Sequence, residues 1–290
     1  MISEAELPLN ERGAVYHLDL LPEELADTVI TVGDPGRVAQ VSRHFDKIET
    51  ERSHREFVTH TGYIGAKRLS VLSTGIGVPN IDIVMNELDA LVNIDLKART
   101  PYSHPQKLTV IRLGTSGGLQ MSCQPGDIYL TQYAVGFDSL FDYYKYDYSI
   151  QLGELHREME LYLANESGPF YLAEADLWLL KQFSHLGTTG ITATCGGFYG
   201  PQGRQVRAPL RFPQLLEKLA HFKIAGLKIV NFEMETAALL GFGKLLGHRC
   251  LSLSLALANR QTGAFATNVH ELMDGMIAKA LPIVLQLKNQ

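Results

Sequence analysis

Thr28-Val29-Ile30-Thr31-Val32-Gly33-Asp34-Pro35-Gly36-Arg37 decides the fold class. A β-branched apolar run of strand length breaks at a glycine turn, and proline stands where the first turn of a helix tolerates it. Amphipathic periodicity over Val38 to Phe45 follows. The same order of strand, glycine turn and helix recurs downstream. Strand-like runs lie at Leu69 to Ser73, Leu108 to Leu113, Ile128 to Thr131, Gly190 to Ala193, Lys228 to Val230 and Cys250 to Leu257. Helical periodicity fills Ile81 to Val92, Ala173 to Phe183, Phe212 to Phe222, Thr236 to Leu246 and His270 to Leu287. Such a rhythm predicts one α/β domain over 1–290, with a largely parallel sheet, helices on both faces and ligand sites at the carboxyl ends of the strands. The segment 136–170 fits poorly: Tyr143, Tyr144, Tyr146 and Tyr148 precede an amphipathic Leu152 to Leu163, which reads as an excursion or subunit contact.

Composition narrows the function. Among 290 residues, 46% are apolar and 20% charged, with 26 Lys+Arg against 31 Asp+Glu for a net charge of −5. Disorder, collagen and coiled coil are excluded by those values. Dispersed charge with no basic stripe argues against nucleic acid as a partner, and no apolar run has the length of a membrane helix. The polar N-terminus carries no export signal, so a cytoplasmic location is expected. Three cysteines, Cys123, Cys195 and Cys250, form neither a disulfide framework nor a CxxC metal pair.

Several turns join small residues to an arginine. In Gly33-Asp34-Pro35-Gly36-Arg37, glycine lets backbone N–H groups approach a ligand while Arg37 adds a fork of donors, a combination suited to phosphate. In Arg112-Leu113-Gly114-Thr115-Ser116-Gly117-Gly118, a guanidinium inside an apolar strand must meet a carboxylate or await an anion. Ser73-Thr74-Gly75-Ile76-Gly77 is a further strand-to-glycine turn. The sixth position of the run that begins at Gly75 is Asn80 rather than Gly or Ala, and no GxxxxGK[ST] occurs, so dinucleotide and P-loop readings are rejected. Ser53-His54-Arg55-Glu56-Phe57 offers another arginine, either for an oxyanion or for an ion pair with Glu56 or Glu51.

Asn231-Phe232-Glu233-Met234-Glu235-Thr236 places two acids between a strand and an apolar helix, where burial without partners is costly. They suit a ribose diol, pair the arginines, or, for Glu235, cap the helix. A paired-carboxylate glycosidase is disfavoured, since acids on one short segment do not easily flank a bond from opposite faces. Phe198-Tyr199-Gly200-Pro201-Gln202-Gly203-Arg204 combines an aromatic with an amide and a guanidinium. It is either an ordinary loop or a reader of a pyrimidine edge with Phe198 stacked on the base.

GDPGR, SHREF, STGIG, RLGTSGG, FYGPQGR and NFEMET, in this order and at these separations, resemble the uridine phosphorylases of the nucleoside phosphorylase superfamily. The likeness covers most of the chain from about Tyr16. It implies a three-layer α/β/α sandwich around a mixed, largely parallel sheet, a homo-oligomer (dimer or hexamer) with sites shared between subunits, and cleavage of uridine by inorganic phosphate to uracil and ribose 1-phosphate. By motif match, phosphate would be held by Gly33, Arg37, Arg112 and Thr115, with Arg55 reaching in from a neighbouring subunit. Ribose would meet Thr115, Met234 and Glu235, with Glu233 in the same motif and His17 crossing the interface to the 5′-hydroxyl. Gln202 and Arg204 would read uracil, Phe198 stacking nearby and Arg260 behind Arg204. Arg112, Gln202, Arg204 and Glu235 would carry the chemistry.

The resemblance implies no organic cofactor, with phosphate as co-substrate. Bacterial members can bind potassium at the dimer interface through residues matching Glu56, Ile76 and Asn80, where the usual Ser is Asn80 here. Purine-selective relatives place an Asp where Asn259-Arg260 stands, which favours pyrimidine. The base loop reads Gly200-Pro201 where bacterial members usually have Pro-Gly. The alternatives are a nucleoside phosphorylase of broader or purine specificity, a hydrolase using water, and a non-catalytic nucleoside-binding protein on the same fold. Retention of Arg37, Arg55 and Arg112 argues against the hydrolase, because water needs no arginine cradle.

Overall fold

The computed structural model describes residues 1–288. Its strands longer than two residues are β1 (Thr28–Val32), β2 (Lys47–His54), β3 (Phe57–Ile64), β4 (Lys67–Ser73), β5 (Thr109–Gly118), β6 (Ile128–Phe137), β7 (Tyr171–Glu174), β8 (Thr188–Cys195), β9 (Leu227–Glu233) and β10 (Arg249–Asn259). The helices are α1 (Pro35–Ser42), α2 (Val78–Asn93), α3 (Ile150–Leu163), α4 (Leu177–Phe183), α5 (Leu215–His221), α6 (Thr236–Leu246) and α7 (Val269–Gln286).

These strands form one mixed sheet in the order β9-β8-β6-β10-β5-β1-β4-β3-β2, with β7 beside β6. Parallel pairing joins β4 to β1, β1 to β5, β5 to β10, and β6 to β8 to β9. Antiparallel pairing builds one flank through the β2–β3–β4 meander and, in the middle of the sheet, joins β6 to β10. The far end of β5 also pairs with β9, Asn231 opposite Gly118, so that part of the sheet curls upon itself. Helices cover both faces, α1 over β3 and β4, α6 over β6, β7 and β10, and α5 over β9, giving the α/β/α arrangement.

Some elements differ from the periodicity. The β2–β3 hairpin is absent from the sequence reading because Lys47–His54 alternates half-buried with exposed residues and is rich in charge, as an edge strand is. Tyr171–Glu174 is a strand rather than the start of a helix; the Asp176 side chain accepts from the Leu179 amide at 2.8 Å and starts α4 there. RLGTSGG does not turn after Leu113: β5 runs on to Gly118 because β10 and β9 both bind its edges. The segment 136–170 does not stand off the surface. Leu152, Leu155, Met159 and Leu163 of α3 are buried in a second apolar cluster, and Phe141 packs on Phe242 and Tyr171 in the main core.

Candidate active site

A cavity of about 730 Å³ opens where β1, β4, β5 and β9 end. Gly33, Arg37, Arg112, Thr115, Phe198, Gln202, Arg204, Glu233, Met234 and Glu235 all line it. Local sequence explains how they converge. Asp34 caps α1 by accepting from the Gly36 amide at 2.8 Å, which fixes Arg37 one residue beyond. The Arg37 Nη1 donates to the Leu113 carbonyl at 3.3 Å. Gly77, at φ 97°, starts α2 in a conformation open to glycine, and its amide donates to the Glu235 Oε1 at 2.6 Å.

Arg112 is the electrostatic centre. Its guanidinium, 3% exposed, bonds Glu235 through Nη2, which also lies 3.4 Å from Glu233. Gly114, two residues on and therefore on the same face of β5, leaves the space the guanidinium fills; any Cβ there would collide with it. Burial acts to lower the Arg112 pKa, but the charges of Glu235 and Glu233 together hold it above the ordinary value. Burial likewise pushes the Glu235 carboxyl up, against the pull of Arg112 and with the help of Glu233. Arg37 is lowered by burial and then by the like charge of Arg112. The Nε and Nη1 of Arg112 are buried with no hydrogen-bond partner among the described residues. A guanidinium with two idle donor groups, next to a second arginine, is prepared for an anion.

Glu233 and Glu235 divide their work. The Glu233 carboxylate accepts from the Glu235 and Thr236 amides at 2.9 Å and from the Thr194 hydroxyl at 2.5 Å. It thus caps α6, the role the sequence left open for Glu235, and its negative charge faces the positive end of that helix. Glu235 lines the cavity, holds Arg112 and Gly77 with one oxygen each, and as a carboxylate can accept further bonds.

At the opposite end, the Arg204 Nη1 donates to the Gln202 Oε1 at 2.5 Å and to the Phe198 carbonyl at 2.6 Å, with its carbon 3.7 Å from the Phe198 ring centre. The Gln202 Nε2 reaches the Glu233 carbonyl at 3.4 Å. The amide is thereby oriented, its nitrogen and one further lone pair of Oε1 available to a ligand edge. Burial lowers Arg204 to about 10, aided by the positive charge of Arg260. Arg260 itself does not line the cavity; it lies behind, 5.8 Å from the Phe232 ring centre, with a buried Nη1 that has no partner among the described residues.

Arg55 and His17 also stand outside the cavity. Arg55 occupies the tip of the β2–β3 hairpin at φ 56°, exposed, 5.9 Å from the Tyr16 ring centre. His17 stacks edge-on to Tyr16 and its Nδ1 meets Glu87 at 2.6 Å. The two form one surface patch.

Sequence reading did not single out Phe232, Leu257 or Phe265 as cavity walls; isolated apolar residues carry no signal of their own. Ser116 appeared only as a hydroxyl within its motif. At the potassium position, the Asn80 Nδ2 donates to the Glu56 carboxylate at 3.1 Å and to the Ile76 carbonyl at 3.4 Å. An N–H group takes the oxygens a cation would need, so these residues do not fit a metal ion. Among the described residues no cluster of three His, Cys, Asp or Glu could hold one, and no helix is long and apolar enough to cross a membrane.

Comparison with known proteins adds the family. A model of the phosphorylase superfamily matches residues 27–286. The uridine phosphorylase of Thermococcus kodakarensis is 32% identical over 264 residues, 90% of this chain and 83% of its own. That of Klebsiella aerogenes is 28% identical over 85% of this chain and 86% of its own. Among solved structures, a Trypanosoma brucei nucleoside phosphorylase that shows uridine phosphorylase activity superposes with a TM-score of 0.85 at 28% identity, covering 96% of this chain and 98% of that one. With the family model spanning nearly all of the sheet and its helices, the chain belongs to the phosphorylase superfamily.

Proposed function

We propose that the protein is an enzyme that cleaves uridine by phosphorolysis, yielding uracil and ribose 1-phosphate. The observation that carries this reading is the single cavity joining an arginine-rich end with idle donors to an amide–guanidinium end, with a carboxylate between them. Relatives named uridine phosphorylase over most of both chains support it.

Phosphate occupies the end bounded by Gly33, Arg37, Arg112 and Thr115, its charge met by the two guanidiniums. Ribose lies over Met234 and Glu235, the Glu235 carboxylate accepting from a diol hydroxyl while Arg112 fixes its orientation. Uracil faces Gln202 and Arg204 against Phe198. A phosphate oxygen bonds to the anomeric carbon as the carbon–nitrogen bond breaks, the bond pair departing with the base, which then takes a proton from water. The sugar gains positive charge and the base negative charge in between. Donors from Gln202 and Arg204 therefore strengthen most in the transition state, and the phosphate below the ring opposes the developing cation. No group of the protein acts as nucleophile.

Glu233 acts here by holding α6 and Arg112 in place. Arg55 and His17, which lie together outside the chain's own cavity, serve the site of a second copy, so the reading carries with it a homo-oligomer; it also carries a cytoplasmic location and one catalytic domain over 1–290. The test is cleavage of uridine with and without inorganic phosphate, followed by chromatography, beside thymidine, inosine and methylthioadenosine. Uracil and ribose 1-phosphate formed only with phosphate is the expected result. Phosphate-independent cleavage would favour a hydrolase, and phosphorolysis confined to inosine would overturn the base assignment.

A further inference from the structure

A line of buried polar side chains crosses the curled part of the sheet and ends at the cavity. Thr131 on β6, Thr192 on β8, Asn231 on β9 and Ser116 on β5 are each at most 9% exposed. Thr131 and Thr192 share a hydroxyl bond of 2.6 Å, Thr192 donates to the Asn231 Oδ1 at 2.8 Å, and the Asn231 Nδ2 donates to the Ser116 Oγ at 3.0 Å. Each hydroxyl has one hydrogen. Since that of Thr192 goes to Asn231, Thr131 must donate to Thr192, and the chain runs one way from β6 to β5. Ser116 receives at its end. No described residue accepts the hydrogen of Ser116, and Ser116 lines the cavity.

We propose that Asn231 is a positioning residue that turns the hydroxyl hydrogen of Ser116 into the cavity, making Ser116 a donor to a carbonyl oxygen of the bound nucleobase. The base end is favoured by the attachments of β9: Asn231 holds Ser116 through its side chain, and two residues on the Glu233 carbonyl holds Gln202. A carbonyl of the departing base gains negative charge, so a donor aimed beforehand is worth more in the transition state than in the bound substrate. Successive donation in one direction polarises the final hydroxyl further. Burial gives the reason for the chain's extent: each member is satisfied by the one before it, and the single unspent hydrogen is left where the ligand enters. The inference rests on the uridine reading above.

Ser116→Ala and Asn231→Asp test it, alone and combined, with kcat and KM for uridine and for phosphate measured across pH. Ser116→Ala is expected to lower kcat/KM for uridine about ten- to hundredfold, the worth of a hydrogen bond to a developing charge, and to leave the KM for phosphate unchanged. In Asn231→Asp an ionised carboxylate only accepts, so it draws the Ser116 hydrogen inward and activity falls to the Ser116→Ala level. The protonated acid donates as the amide does, so activity should return as pH falls through its pKa. The double variant should match Ser116→Ala alone. A purely structural Asn231 would give no such pH limb. If wild-type enzyme phosphorolyses uridine but Ser116→Ala stays within about twofold, the inference is wrong; because Ser116→Ala also strips the Asn231 Nδ2 of its acceptor, a thermal melt checks its fold, and the nearly isosteric Asn231→Asp keeps the inference testable on its own. A flat, wild-type-like profile for Asn231→Asp means that Ser116 donates inward, which also overturns it. Wild-type enzyme that does not cleave uridine fails the reading of the site itself, and the base donor falls with it.

Discussion

Replacing Arg112 separates its two duties. Its Nη2 is committed to Glu235, while Nε and Nη1 are buried with no partner among the described residues, and the proposed reading assigns them to the phosphate. Arg112→Lys keeps one charge but a single ammonium cannot serve both the carboxylate and the anion with a planar fork. Two charge-assisted bonds at about 1.5 to 3 kcal/mol each amount to about 3 to 6 kcal/mol, or roughly 10² to 10⁴ in kcat/KM for phosphate. Arg112→Ala does more. It leaves Glu233 and Glu235, 4% and 5% exposed, without their buried cation, a change that costs about 3 to 5 kcal/mol of stability. The Glu235 pKa, already raised by burial, rises further without Arg112. A carboxylate whose folded pKa exceeds its unfolded one takes up protons on folding. Stability is therefore greatest below the unfolded pKa and is lost as pH climbs through the folded one. Arg112→Ala should accordingly unfold more readily at pH 8 than at pH 5, by more than wild type does. Initial rates against phosphate concentration and calorimetric melts at both pH values measure the two effects. Arg112→Lys with phosphate kinetics within about threefold of wild type would refute the assignment of the idle donors to phosphate.

Gln202→Ala removes the amide that Arg204 orients, and should reduce kcat/KM for uridine about ten- to hundredfold while affecting inosine much less. Equal losses on both substrates would take base reading away from Gln202. Arg55→Gly relieves a left-handed backbone at the hairpin tip, which should stabilise the fold by about 1 kcal/mol, yet it should raise the KM for phosphate if the guanidinium serves a neighbouring site. A higher melting temperature with unchanged phosphate kinetics would make Arg55 a residue of the hairpin alone.

The elements read most surely from the sequence are those whose burial is complete. Val29, Ile30 and Val32 in β1 are wholly buried, and α6 is apolar along most of its length, so pattern and structure coincide there. The β2–β3 hairpin was illegible because an edge strand needs few apolar residues, and β5 looked shorter than it is because Gly114, Gly117 and Gly118 carry no strand signal. Tertiary pairing, not local preference, keeps those glycines extended. The candidate site was legible as residue types and not as roles. A buried arginine demands a carboxylate, and two acids on one segment were at hand. Which of them would cap the helix depended on the angle at which β9 meets α6, and nothing local to Glu233 or Glu235 encodes that. The hydroxyl chain through Thr192 and Asn231 was invisible for the same reason, since its members come from four strands, of which β6, β8 and β9 lie side by side and β5 is joined to them by the curl of the sheet.

Charge explains why the site would need a second copy. Arg37 and Arg112 oppose Glu233 and Glu235, so the phosphate end is close to neutral before any ligand arrives. The N-terminus of α6 adds about half a positive charge, so two guanidiniums and that helix end against two carboxylates leave only about half a unit. A phosphate dianion therefore brings negative charge into a half-buried cavity that has little left to meet it. Arg204 and Arg260 do not answer, because both are held at the base end, one against Phe198 and the other behind Phe232. The remaining guanidinium of the motifs is Arg55, which the chain holds at an unfavourable backbone angle and presents outward, beside Tyr16 and His17. The positive φ belongs to the two-residue hairpin turn itself; what points outside the monomer is the exposed guanidinium, held beside Tyr16. On the proposed reading its partner is the phosphate of a neighbouring subunit, so a single chain offers the anion donors from Arg37 and Arg112 but not the charge to balance it, and on that reading full phosphate affinity depends on assembly.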